Sequence, residues 1–274
     1  MELHDFLTQW IAAEGVSTED VLAGFLPLLR DVINAHLAGC VAPLEGLNEL
    51  RVEQHRIWFE EAKRQTPRSN AAGVSRIELQ SRARVEILAE ARRATDADDG
   101  SETLVRSEIG ERGAPIQRSV YLPGYVTWEH ELGHHDPLTD VFSLGMLLAS
   151  LACPIDLTQP EALESFVAHR RNLFTLNPAL HPVLAQAILR MTELDRHRRA
   201  QDLLGLLHSL ENYRDQTVSF ELDLARIPGF RTRDSSTRRE AILTRLRDRL
   251  FDVSRRNNLL HHRPTMQSVN LTHA

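Results

Sequence analysis

Residues 125–151 read YVTWEHELGHHDPLTDVFSLGMLLASL. Its second half, TDVFSLGMLLASLA from Thr139, is apolar almost all round. A helix without a polar face has to be surrounded by protein, so we expect it at the centre of a helical domain, with Thr139 or Asp140 capping its start. The first half holds His130-Glu131-Leu132-Gly133-His134, an HExxH pattern. On a helix, His130 and His134 project from one face at i and i+4, and Glu131 can take a proton from a zinc-bound water. Pro123-Gly124 and Asp136-Pro137 leave about three helical turns at most between them. A third ligand would come from elsewhere, with Glu161 and Glu164 as candidates. The competing assignment, a polar surface helix or loop, asks for less.

Upstream, Leu3, Phe6, Leu7, Trp10 and Ile11 recur at helical spacing. Ser17-Thr18-Glu19-Asp20 supplies capping chemistry for a second helix through Val21, Phe25, Leu29, Ile33 and His36. Pro27 asks that helix to bend or start later, and Gly39 ends it. Two short strand-like stretches follow, Leu50–Val52 and Arg56–Phe59. Residues 63–119 are polar and rich in Gly and Pro, so we expect mobility there, interrupted by one helix from Val74 to Arg93 on Ile77, Val85 and Leu88. Downstream, Val183, Leu184, Ala187, Ile188 and Met191 mark one helix, and Leu203, Leu206, Leu207 and Leu210 another. A linker, 214–237, carries one possible strand, Val218–Leu222. An amphipathic helix over 238–253 then aligns Ile242, Leu246, Arg249 and Val253 among arginines.

Composition sets the outer limits. The 274 residues are 42% apolar and 26% charged, ordinary for a globular protein, while aromatics make up only 5%. No apolar run approaches the length of a membrane span, and the acidic opening MELHDFLTQW is no secretory signal. Cys40 and Cys153 lie far apart without a CxxC, so a disulfide framework is not expected and a reducing cytoplasm is the simplest setting. Lys63 is the single lysine among 32 basic residues, which leaves one candidate for any lysine chemistry. From Arg226 to Arg263, eleven arginines face four acids, a net +7 in a chain whose total is −6. That basic segment, with Arg247, Arg255, Arg256 and Asn257, could meet nucleic-acid phosphate or an acidic partner domain.

Three segments, in order, resemble the C-terminal lobe of a serine/threonine protein kinase. DVINAHLAGCVAPLEGLNEL is similar to the family's aHxxG helix end and catalytic loop. YVTWEHELGHHDPLTDVFSLGMLLASL is similar to the P-E segment followed by the sDvysLG helix, and LDRHRRAQDLLGLL to the element that closes the lobe. The resemblance covers residues 1–213 and implies supporting roles. Glu129 falls on the P-E glutamate and Arg199 on its buried ion-pair partner. Asp140 falls on the aspartate that holds the catalytic-loop backbone, His36 on the helix-end histidine, and Gly145 on the glycine of the sDvysLG run.

The same resemblance leaves the chemistry unfilled. Phosphoryl transfer needs a lysine on the phosphates, an aspartate for the substrate hydroxyl, and Asn and Asp on magnesium. The catalytic-base position is Pro43, counted back from Asn48, or Leu44 counted forward from Gly39. The D-F-G position reads Glu60-Glu61-Ala62. The Gly-rich loop has no counterpart and the N-terminal lobe is missing.

A second resemblance lies in LTRLRDRLFDVSRRNNLLHHRP, which is similar to the opening of the N-terminal domain of large bacterial superfamily 1 helicases, among them antiphage-defence enzymes of the Mokosh type. No GxxxxGK[ST] pattern occurs, so no helicase engine is expected here.

These readings converge on one expectation. The fold we expect is mainly α: a kinase-like C-terminal lobe with a few short strands, lacking the N-lobe, then an arginine-rich helix within 238–274, the truncated start of a helicase-associated domain. We expect a fragment of a longer protein, acting as a non-catalytic regulatory or interaction module. Its partners would be downstream helicase domains or nucleic acid held through 226–263, with no membrane. No cofactor is expected, ATP and magnesium included; zinc at His130, Glu131 and His134, in a hydrolase, is the enzyme-class alternative, and a weakly active or partner-completed kinase is a further one.

Overall fold

The computed structural model describes residues 1–13, 16–81 and 119–215. These are mainly helical, with a single two-stranded sheet among them. In chain order the helices are α1 (Leu3–Ala12), α2 (Thr18–Leu37), α3 (71–81), α4 (Trp128–Glu131), α5 (Pro137–Ala152), α6 (Pro160–His169), α7 (Pro182–Met191) and α8 (Leu203–Glu211); the strands are β1 (Arg51–Glu53) and β2 (Arg56–Trp58). Expectations that fall on 82–118 and 216–274 lie outside the described residues. They include Val85, Leu88, the 218–222 strand, the 238–253 helix, and Arg247, Arg255, Arg256 and Asn257.

α5 is the axle. Every residue from Thr139 to Ala152 is buried, as a sequence without a polar face requires. It packs against α7, α2 and α1. At Gly145 the packing leaves no room for a side chain: an added Cβ would lie 2.6 Å from Met191 Cβ. The start of α5 differs from the capping we expect. Asp136, not Thr139 or Asp140, is the N-cap: it accepts from Thr139 N, and Pro137 takes the first helical position, where a missing N–H costs nothing. Asp140 is thereby released to point inward.

Ser17 and Asp20 form a reciprocal capping box at the head of α2. Pro27 neither delays nor ends that helix. Burial of Phe25, Leu28, Leu29 and Val32 outweighs a penalty of about 3 kcal/mol for an interior proline. Gly39, at φ +73°, turns the chain out of α2. β1 and β2 pair antiparallel in the register Arg51↔Trp58, Val52↔Ile57 and Glu53↔Arg56. Their two-residue loop, Gln54-His55, has positive φ at both positions, the backbone of a tight hairpin turn. His55 is held there against the rings of Phe6 and Trp10.

The first part of the polar region is tied down where we expect mobility. Val41 and Gln65 exchange backbone hydrogen bonds, as do Arg68 and His135. α3 starts three residues earlier than Val74, and Val74 and Ile77 pack on Val120, Leu122 and Trp128. α6 is a helix the sequence reading passes over: Pro160 opens it, and Leu163, Phe166 and Val167 are buried. Among the described residues, no helix is long and apolar enough to cross a membrane.

Candidate functional site

The carboxylate of Asp140 is wholly buried and takes three donors. Oδ2 accepts from the backbone N–H of Ala42 at 2.8 Å and lies 2.8 Å from His36 Nε2; Oδ1 lies 2.7 Å from His135 Nε2. Three separated segments therefore meet on one side chain: the end of α2, the loop that follows it, and the turn before α5. A buried carboxylate needs such a shell, because desolvation without donors would cost several kcal/mol. The fold places Asp140 for this by spending Asp136 on the helix cap.

A second node is built on Glu129. Glu129 Oε1 accepts from Arg199 Nη1 at 2.6 Å and from Arg196 Nη1 at 3.0 Å, with all three side chains buried. Arg199 also donates to the carbonyls of Glu193 and Leu138 and lies 4.9 Å over the Phe142 ring. Arg196 reaches on to Asp136 at 2.5 Å. Burial pushes the Asp136 carboxyl up, but Arg196 outweighs it and holds the group at about 2. Arg196 is a residue the sequence reading misses. Its signal is the Arg196–Arg199 spacing, which puts two guanidinium groups within reach of one acid.

The positions that the family resemblance assigns to phosphoryl transfer differ in exposure. Pro43 and Leu44 are buried, Asn48 and Glu60 are exposed, and Glu60 caps nothing at the turn that follows it. Lys63 pairs with Glu49 at 2.9 Å on the surface.

The HExxH pattern does not form its helical face. α4 ends at Glu131, Gly133 has φ +68°, and His134 lies beyond the helix. His134 Nδ1 accepts from Asn70 N–H at 2.9 Å, and its Nε2 lies 3.2 Å from Asp136 Oδ2. Glu131 is exposed, and neither Glu161 nor Glu164 joins a metal-holding group among the described residues. The four-residue helix and its glycine exit separate two histidines that sequence spacing puts on one face.

His130 instead faces His135, the residue after the motif. Their rings are 4.7 Å apart and perpendicular, and Glu45 completes a group whose ligand atoms all lie within 4.8 Å of one another. His130 caps its own helix: Nδ1 accepts from Thr127 N–H at 3.2 Å. Burial, with the neighbouring His135, lowers its pKa to about 4. Burial raises the Glu45 carboxyl, but the Arg68 hydrogen bond at 2.7 Å and the nearby His130 carry it below its ordinary value.

Comparison of the chain with protein-family models, with curated proteins and with solved structures finds no match.

Proposed function

We propose that residues 1–213 are a kinase-like module that keeps the supporting frame of a phosphotransferase and not its chemistry, and that works by holding partner domains. The observation that carries this reading is the Asp140 node. One buried carboxylate grips the Ala42 N–H at the start of the loop where a kinase carries its base, and that loop then presents Pro43 and Leu44. Glu129 with Arg199 adds the second supporting contact at the positions the family resemblance assigns. A frame this costly in buried charge is retained where the shape of the loop matters.

In this reading the module stands at the front of a cytoplasmic bacterial helicase-type defence protein. The basic 226–263 segment contacts the downstream domains or nucleic acid. Binding to RNA or DNA through it would fall steeply as salt rises.

The experiment is phosphotransfer. The purified chain, given ATP, magnesium and a generic protein acceptor, should leave the γ-phosphate on ATP at the rate of a blank. ATP turnover that a Glu60→Ala change abolishes would overturn the proposal in favour of an active kinase.

A further inference from the structure

We infer that Glu45, His130 and His135 form a binding site for one divalent transition-metal ion of the zinc class, clipping the loop after α2 to α4 and the turn before α5. Two observations carry the inference independently of the kinase reading. The first is the donor set. His135 is wholly buried, and its Nε2 faces the Asp140 carboxylate at 2.7 Å, so the ring proton sits there and Nδ1 keeps a free lone pair. That Nδ1 is buried without a hydrogen-bond partner among the described residues, and so is His130 Nε2. Buried polar atoms in folded proteins nearly always have a partner, and here two orphans belong to perpendicular rings 4.7 Å apart. The ligand atoms of both rings and of Glu45 lie within 4.8 Å of one another.

The second observation is the supporting shell. Metal-bound histidines usually carry a carboxylate on their other nitrogen, which fixes the tautomer and raises basicity, and Asp140 occupies that place behind His135. Glu45 stands on the solvent side, where it gives the ion a way in and exchanges Arg68 for a stronger cation. Two imidazoles and one carboxylate suit zinc, cobalt or nickel; magnesium and calcium want oxygen throughout. Three protein ligands leave a fourth tetrahedral position to water. Binding at His130 Nε2 shifts that ring's proton to Nδ1 and gives up the 3.2 Å bond from Thr127 N–H. The site shares only His130 with the HExxH pattern and has no general base in that pattern's sense, so its role is to fasten two segments.

The test is a titration of the full chain, stripped with chelator, using zinc followed by calorimetry and cobalt followed by its visible absorption. One equivalent should bind, with the intense cobalt spectrum of a four-coordinate site. Glu45→Gln changes an exposed side chain and should weaken binding at least about tenfold. His130→Asn, checked for native circular dichroism, should abolish it, while a His261→Ala, His262→Ala chain should bind like the parent. Failure to take up a stoichiometric ion, as when a water bridges the two rings, would overturn the inference. Uptake that Glu45→Gln leaves unchanged, or that follows His261 and His262, would overturn it as well.

Discussion

Glu129 accepts two guanidinium groups on one carboxylate oxygen, while its other oxygen is buried without a hydrogen-bond partner among the described residues. Removing either arginine therefore exposes a different share of the cost. Arg199 makes the shorter contact, has no solvent exposure and stacks on Phe142, whereas Arg196 is shared with Asp136. Breaking a buried pair from one side costs about 3–5 kcal/mol. Arg199→Met should fall at the lower end of that range, because Arg196 stays on Glu129. Arg196→Met should cost less, and urea midpoints of the two variants give the order. Equal losses would mean that the two arginines are interchangeable and that Glu129 has no dominant partner. The buried roles of Asp140, Glu129 and Arg199 enter the sequence reading only through the family resemblance. Glu45 does not enter it, because its value lies in its approach to His130 and His135, far along the chain, which no local spacing encodes.

At the scale of elements, periodicity serves best where burial is one-sided or complete. α1, α2, α5, α7 and α8 stand where apolar spacing puts them. It fails where chemistry competes with periodicity. HELGH satisfies a helical pattern, but Gly133 and the Asp136-Pro137 start of α5 end the first helix after one turn. α6 is missed because PEALESFVAH shows only three buried apolar positions and two acids. The join between α2 and the chain after α8 yields a pH prediction. Burial pushes the Glu19 carboxyl up, but hydrogen bonds from Tyr213 and Arg214 outweigh it and hold the group at about 2. Its unfolded value is near 4.5. The contribution to stability is thus whole above pH 4.5 and disappears as the pH falls toward 2. Because the Glu19 and Arg214 side chains are both close to half exposed, solvent screens the pair and the effect stays below about 1 kcal/mol. A Glu19→Gln chain should therefore show a slightly lower melting temperature than the parent at pH 6, with the gap closing near pH 2.5. A gap that persists there would assign the effect to packing and not to charge.

On the scale of the whole molecule, one buried helix organises the main core of the described residues. α5 gathers α1, α2 and α7 around it, and the two charged nodes fasten the loops at its N-terminal end. Mainly helical architecture follows from the sequence because a polar face is absent where it matters. Binding of nucleotide to the native state alone would raise thermal stability by mass action, by about 2.7 kcal/mol at a hundred times the dissociation constant. The most direct measurement is a thermal melt of the full chain across a series of ATP concentrations with excess magnesium. The proposed reading, a frame without phosphate-handling groups, predicts a melting temperature that does not move with ATP. A rise that grows with ATP concentration and is lost in Glu60→Ala would contradict it.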